Sequence, residues 1–205
     1  VLATDADNDK GGGGAMIKGT KNVWFINTTF INNTANFGGG LTVWKLNANS
    51  VYLINSTFDG NKATGGKLGS NSGGSIYGAS SFNIENVTIS NSFAAEKGGG
   101  IYFTNVDVNY KNLTFINNTA EQGGGLYWLR ATEIEGMKFI NNTATQQGGA
   151  MYLPVAQTII NNEFIGNKAN EGGAIYVYAT GSTIQYNNFT NNSANMGGAI
   201  YAPKL

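Results

Sequence analysis

The sequence lacks cysteine and histidine altogether, and it has one arginine, Arg130, and two prolines among 205 residues. Without cysteine the chain has no disulfide framework, no thiolate metal site and no cysteine nucleophile. Without histidine it lacks the most common general base, proton shuttle and metal ligand. A lone arginine does not suit a guanidinium clamp for phosphate or carboxylate groups. These absences leave few routes to catalysis or to a metal centre.

Charge is scarce and balanced, because the 12 basic and 12 acidic residues make up only 12% of the chain. A chain without net charge has no field that attracts nucleic acid or an anionic membrane, so neither is expected as a partner. No apolar run approaches the roughly 18–20 residues that cross a bilayer, so we expect no membrane insertion by this chain. Asn, Thr and Ser supply the polarity, which is common outside cells. The composition therefore indicates a secreted or cell-surface protein.

Glycine is abundant and regularly placed, in a Gly-Gly-x-(Ile/Leu/Met) unit that recurs eight times. The apolar residue of the unit is Met16, Leu41, Ile76, Ile101, Leu126, Met151, Ile175 and Ile200. Successive spacings are 25, 35, 25, 25, 25, 24 and 25 residues. The one long spacing indicates a ten-residue insertion, which the Gly-rich composition places near 63–72. Such a period is the signature of a repeat architecture.

A second pattern with the same period lies between the glycine units. Its apolar members are Phe30, Phe58, Ile89, Phe115, Phe139, Phe164 and Phe189. Three residues after each apolar member comes a small polar residue, namely Asn33, Asn61, Ser92, Asn118, Asn142, Asn167 and Asn192. If successive coils stack, like residues meet in columns, and asparagine columns can pass amide hydrogen bonds from coil to coil.

A coil of about 25 residues is too short for a βαβ unit, which takes roughly 30 or more. It is long enough for three short strands, each pairing with its copy at about 4.8 Å in the next coil. The sequence therefore predicts an all-β, right-handed parallel β-helix of about seven to eight coils with three short strands each. Residues 13–205 would form this single domain, and the polar segment 1–12 could fold over its first coil as a cap. Helical solenoids are disfavoured because every repeat contains a helix-breaking glycine pair.

Paired FxxN and GGA(I/L) motifs occur most clearly in Phe115–Tyr127 and Phe164–Tyr176. They resemble the repeats of chlamydial polymorphic outer-membrane proteins and of the adhesin-like surface proteins of methanogenic archaea. The resemblance extends from about Gly13 to Tyr201. It implies a surface-exposed, secreted adhesin-type protein, and it implies no catalytic residues.

A tyrosine directly follows the glycine unit in six coils, at Tyr77, Tyr102, Tyr127, Tyr152, Tyr176 and Tyr201. Because strand side chains alternate between faces, inward Ile and Leu residues place these tyrosines outward in a row. The first interpretation is a ladder that stabilises the sheet through cross-strand aromatic pairs. The second is a contact surface, because tyrosine combines a flat apolar face with a polar tip.

Asp5, Asp7 and Asp9 alternate as the first ligands of a calcium loop do. The following glycine comes one position late, at Gly11, and Met16 stands where the closing Glu belongs. These departures favour a solvated polar segment, so we expect no cofactor. Calcium at Asp5, Asp7 and Asp9 is the less favoured alternative.

Asn-x-Ser/Thr sequons are hypothetical sites of N-glycosylation in a secreted protein. They start at Asn27, Asn32, Asn55, Asn86, Asn112, Asn117, Asn141, Asn188 and Asn191. The alternative is that corner asparagines followed by strand threonines create sequons as a by-product of the repeat.

Some β-helices are polysaccharide lyases or hydrolases, which need clustered carboxylates on one face. Glu85 and Glu135 share a phase of the repeat, but they lie two coils apart with Lys111 between them. This arrangement indicates solvated ion pairs, so we assign no catalytic residue and expect that the chain is not an enzyme.

The preferred interpretation is an extracellular or cell-surface adhesin-like β-helix that binds glycans or proteins of another cell through an extended lateral face. The alternative is a structural subunit of an extracellular filament or sheath. Neither end of the repeat shows a clear cap, and uncapped ends of complementary shape can join copies head to tail. A polysaccharide-active enzyme ranks third.

Overall fold

The computed structural model of the protein describes residues 11–19, 21–44, 50–65, 71–130 and 132–204. Every regular element in these ranges is a β-strand, and the strands pair in parallel. Neighbouring strands in a sheet come from successive coils of the chain. The predicted all-β parallel solenoid is therefore confirmed.

Within the described ranges, four sheets run along the solenoid axis. The first has eight strands: Ala15–Ile17, Leu41–Val43, Ile76–Gly78, Ile101–Phe103, Leu126–Trp128, Met151–Leu153, Ile175–Val177 and Ile200–Tyr201. The second has nine: Val23–Ile26, Thr29–Ile31, Ser50–Ile54, Thr57–Asp59, Ser81–Ser90, Val108–Ile116, Lys138–Ile140, Glu163–Ile165 and Asn188–Thr190. The third has five: Thr34–Ala35, Lys62–Ala63, Phe93–Ala94, Thr119–Gln122 and Thr143–Gln147. The fourth continues one flank of the second and has three: Glu133–Glu135, Thr158–Ile160 and Thr183–Gln185.

Each coil turns at corners where the backbone has positive φ. Glycine occupies the corner before the first sheet in every coil, from Gly12 to Gly197. Asparagine or glycine occupies nearly all the others, as at Asn117 (φ 54°) and Gly166 (φ 64°). These are the residue types that adopt the left-handed region at least cost, so the corner residues explain why the coils bend at a regular interval.

Aromatic and aliphatic columns fill the interior. The rings of Phe115, Phe139 and Phe164 stack at 4.8 and 5.2 Å between centroids, within 7° of parallel. All three side chains are fully buried. Beside this column, Ile134 and Ile159 pair in register one coil apart. The Phe rows predicted from the sequence thus lie inside the solenoid.

The asparagines that follow the phenylalanines also point inward. Asn118, Asn142 and Asn167 are fully buried, and each donates its amide to the side-chain oxygen of the next asparagine at 2.9–3.1 Å. The same amide also donates to a backbone carbonyl of the preceding coil, as Asn142 does to Phe115 at 3.1 Å. The positive φ belongs to the residue before each of them, which leaves the buried asparagine free to act as an internal ladder.

The first coil is aligned one residue differently from the sequence prediction. Ala15 pairs with Leu41, and Met16 pairs with Thr42, so Met16 belongs to the row of the tyrosines and not to the inward Leu and Ile row. The sequence has four consecutive glycines here, and either alignment satisfies the glycine pattern. The structure decides between them because Gly12, at φ 68°, forms the corner.

The ten extra residues of the long coil are divided between two places. The pairing register puts six of them between Ala63 and Ser72 and four between Val43 and Val51. Ala63 and Ser72 are nine residues apart in the sequence, whereas their partners in the next coil are three apart. Val43 and Val51 are eight residues apart, whereas their partners are four apart. Part of each span lies outside the described residues, as does most of the predicted cap in 1–12.

Candidate contact surfaces

The tyrosine row lies on the outer face of the first sheet, where its rings stack from coil to coil. Centroid distances are 5.3 Å for Tyr77 and Tyr102, 5.4 Å for Tyr102 and Tyr127, and 5.0 Å for Tyr127 and Tyr152. The stack continues at 5.1 Å to Tyr176, and Tyr201 is tilted by 51° at its end. The row is therefore a continuous aromatic ladder along the axis.

At the other end the ladder continues through Trp44 and not through Thr42. The indole ring of Trp44 stacks on Tyr77 at 5.9 Å, and the ring of Phe37 meets Tyr77 edge-on at 5.0 Å. Thr42 occupies the tyrosine position of its coil but is fully buried, and its hydroxyl donates to the Phe37 carbonyl at 3.0 Å.

Neighbouring side chains cover most of the ring surface in the middle of this ladder. Tyr127, Tyr152 and Tyr176 are only 6–8% exposed. Each ring face meets another ring, and the Lys97 ammonium lies 5.4 Å above Tyr127. The row thus offers ring edges and hydroxyls to a partner. Its role as a contact surface stays a prediction.

The environment of the ladder keeps its phenols neutral. Burial raises the pKa of Tyr102 to about 12, with a smaller contribution from Tyr77, and burial raises the pKa of Tyr152 to about 12 as well. The pKa of Tyr127 is raised by the same cause. Tyr178 differs, because a hydrogen bond to Lys204 lowers its pKa. At neutral pH the ladder is therefore an uncharged surface of hydroxyl groups.

A second aromatic surface, which was not predicted from the sequence, lies on the outer face of the second sheet. Trp24 pairs with Tyr52 in register, and their rings stack at 5.0 Å within 10° of parallel. The same row continues through Asn83 and Asn109 in the next two coils. Trp24 is 54% exposed. We call these four residues the Trp24 row.

A shallow groove lies beside the Trp24 row. Its lining includes Tyr52, Ile54, Asn83, Glu85, Asn109 and Lys111. The ammonium of Lys111 lies 3.9 Å from a carboxylate oxygen of Glu85, and both side chains are exposed. These are the two charged residues of the lining, so the groove has no net charge.

A signal for the Trp24 row was present in the sequence. Val23 and Phe25 belong to the inward phase of their strand, which leaves Trp24 and Ile26 outward. The equivalent outward positions two coils later are polar, at Asn83 and Glu85. The Trp24 position is polar in the coils after Tyr52, so an aromatic residue there marks a place where the surface departs from the repeat.

All nine sequon asparagines are exposed, and eight of them have positive φ, with Asn188 inside a strand as the exception. Their amides form an outer ladder, as Asn112 donates to Asn86 at 2.8 Å and Asn86 donates to Asn55 at 2.9 Å. Most of these sequons begin with an asparagine at a left-handed corner, continue with an inward residue and end with a threonine in a strand. The repeat alone accounts for the pattern, and glycosylation stays a prediction.

Glu85 and Glu135, the acidic residues that share a phase of the repeat, form separate contacts. Glu85 is paired with Lys111, whereas Glu135 accepts a hydrogen bond from Asn161 at 2.8 Å. Within the described ranges, no three acidic side chains come close enough to hold a metal ion. Asp5, Asp7 and Asp9 lie outside those ranges. The described part of the chain has no helix that could span a membrane.

The fold and its surfaces define a class of protein: a parallel β-solenoid with a filled core and with rows of polar and aromatic side chains on its outer faces. Three segments, 112–127, 163–178 and 188–203, match the Chlamydia polymorphic membrane protein repeat. The first segment contains the stacked Phe115, the buried Asn118 and the corner Gly123. The resemblance to chlamydial repeats is thereby confirmed for these segments. No curated protein and no solved structure matches the chain.

Proposed function

We propose that this chain is a surface-exposed β-solenoid of the adhesin type, located outside the cell, which binds glycans or proteins of another cell through a lateral face. The match of three segments to the repeat of a chlamydial membrane-protein family is the observation that carries the proposal. The packing supports it, because side chains fill the interior and leave the outer faces to interact with a partner.

Binding of the purified chain to intact cells tests the proposal. Saturable binding is expected, and pretreatment of the cells with glycosidases or with a protease separates glycan from protein partners. Absence of binding to every cell type tried, at concentrations up to about 100 μM, would overturn the adhesin function, since weak surface contacts have a Kd in this range or below. Reducing-end release from polysaccharides in the same samples would favour the alternative of an enzyme.

A further inference from the structure

We infer that a groove on the outer face of the third sheet, continued over the next two coils, binds acidic oligosaccharides. This inference rests on the proposed adhesin function, and it names one face and one class of ligand. The groove has a volume of about 500 Å³, and we call it the Lys168 groove. Its lining comes from three successive coils: Thr143, Ala144 and Thr145, then Lys168, Ala169 and Asn170, then Ser193, Ala194 and Asn195.

The strand geometry shapes the groove. Thr143 pairs in register with Lys168, and Lys168 pairs with Ser193, so these residues form one wall along the axis. The residues two positions later form the other wall, because strand side chains alternate between faces. The alanine between the walls points to the interior, and Ala144 and Ala169 are buried. Backbone therefore forms the floor of the groove.

The groove opens sideways, away from the solenoid axis. Lys168 has a coil on each side, with Thr143 in one and Ser193 in the other. Lys168 and Asn170 are nevertheless exposed. A further coil stacked on the last one would lengthen both walls and would leave the groove open.

The polar groups of the lining are available to a ligand. Within the described residues, the hydroxyls of Thr143, Thr145 and Ser193 make no hydrogen bond to another protein group. Asn195 donates to the Asn170 side-chain oxygen at 2.7 Å, which leaves the Asn170 amide nitrogen as a free donor. Hydroxyls both donate and accept, so this lining complements the hydroxyls of a sugar chain.

The charge of the groove favours an acidic ligand. Lys168 is the charged residue of the lining, and no carboxylate in the described part of the chain pairs with its ammonium. The cation of the groove beside the Trp24 row differs, because Lys111 lies 3.9 Å from Glu85. A carboxylate or sulfate on a sugar would give Lys168 the partner that the protein does not supply, through a charge-assisted hydrogen bond.

The two aromatic surfaces are poorer platforms for a glycan. The rings of Trp24 and Tyr52 are stacked face to face at 5.0 Å, and the central rings of the tyrosine ladder are 6–8% exposed. A sugar chain lying along the axis would meet ring edges on either surface. The Lys168 groove instead offers hydroxyls, an amide and one ammonium along the same direction.

The first experiment compares acidic and uncharged probes on the full chain. Galacturonic acid oligomers and sialyllactose carry carboxylates, heparin oligomers carry sulfates, and polyglutamate represents an acidic peptide. The uncharged controls are methyl-esterified galacturonic acid oligomers and lactose. In calorimetry we expect an acidic glycan to bind with a Kd below about 1 mM, and the uncharged controls to bind about tenfold more weakly or less. Because salt screens ion pairs, added sodium chloride should weaken the binding.

The second experiment changes the charges of the protein. Lys168→Gln should weaken binding of the acidic glycan about tenfold or more, and Lys168→Arg should retain most of it. Lys111→Gln is the matched control, because it removes the same charge from the other groove, and it should change binding less than about twofold. Glu121, one residue after the Ala120 that pairs with Ala144, lies beside the groove. Glu121→Gln should therefore strengthen the binding. Circular dichroism checks that each variant is folded.

Three results would overturn the inference and leave the adhesin proposal standing. The first is equal binding of the acidic glycans and the uncharged controls. The second is binding of an acidic glycan that Lys111→Gln weakens as much as Lys168→Gln does. The third is cell binding in which no acidic glycan binds the chain, or in which polyglutamate binds more tightly than every acidic glycan. If the chain binds neither cells nor probes, the proposed function itself fails.

Discussion

Asn142 makes four side-chain hydrogen bonds inside the solenoid. Its oxygen accepts from the backbone and the side-chain nitrogens of Asn118 at 3.0 and 2.9 Å. Its nitrogen donates to the Phe115 carbonyl and to Asn167, both at 3.1 Å. A buried polar group that is fully paired in this way fixes the register of adjacent coils, because any slip would leave several groups unpaired.

Replacing Asn142 by alanine should therefore destabilise the fold strongly. Two buried donors of Asn118 and one carbonyl would lose their partner, and we expect a loss of about 3–5 kcal/mol in the free energy of unfolding. Urea denaturation measures it. The control is Asn141→Gly, one residue earlier, on the exposed corner where the next coil has Gly166. We expect a change within about 1 kcal/mol for this variant, and equal losses in the two would contradict the internal ladder.

The ladder has one substitution, and its repair involves a residue from another part of the coil. Ser92 stands in the asparagine position, and its shorter side chain does not reach Asn61. The Ser75 hydroxyl lies between them, 3.2 Å from the Asn61 amide and 2.6 Å from the Ser92 hydroxyl. Other coils have glycine or alanine in the place of Ser75. Buried polar groups need partners, so the two serines act as a unit.

Among the structural elements, the Phe column is the main apolar contact between coils. The ring of Phe139 lies parallel to Phe115 and Phe164, at centroid distances of 4.8 and 5.2 Å. Removing it would leave a cavity open to two coils at once. For Phe139→Ala we expect a loss of about 3–5 kcal/mol in urea denaturation. Ile140→Ala, the outward neighbour, should cost about 1 kcal/mol or less. A loss under about 1 kcal/mol for Phe139→Ala would contradict the inward column.

The tyrosine ladder predicts a fall in stability at alkaline pH. The folded protein raises the pKa of Tyr102 and of Tyr152 from 10.0 to about 12. A phenol with a raised pKa stabilises the fold fully below its unfolded pKa, and this contribution is lost as the pH rises towards the folded value. We therefore expect constant stability up to about pH 9 and a decline between about pH 10 and 12. Denaturation at stepped pH, with phenolate absorbance recorded in parallel, measures both.

Replacing the central tyrosines of the ladder by phenylalanine provides the control. Tyr127→Phe together with Tyr152→Phe keeps the stacked rings and removes two hydroxyls whose ionisation is opposed by burial. The alkaline decline should be smaller in this variant than in the parent chain. A decline of the same size would assign the effect to other groups.

Viewed as a whole, the molecule depends on repeated contacts between neutral side chains. In the described ranges, three ion pairs join Lys111 to Glu85, Arg130 to Asp107, and Lys138 to Glu163, and all their side chains are at least partly exposed. Pairs of this kind contribute little to stability, and salt screens them.

Stability should therefore be nearly independent of ionic strength. Between roughly 0.05 and 1 M sodium chloride we expect the free energy of unfolding to change by about 1 kcal/mol or less, measured by urea denaturation at fixed pH. A decrease well beyond this value would show that electrostatic contacts matter more than the repeated apolar and amide columns.

The sequence by itself determined the period of the repeat, the identity of the columns and the parallel fold, because like residues recur at one spacing and must meet when coils stack. Tertiary structure alone decided the phase of the first coil, where four glycines permit two alignments, and the division of the ten extra residues. It also decided which outward rings are open: those of the tyrosine ladder are covered by their neighbours, whereas Trp24 is exposed. Periodicity assigns each residue to a row, but the burial of a row depends on the side chains that flank it in space.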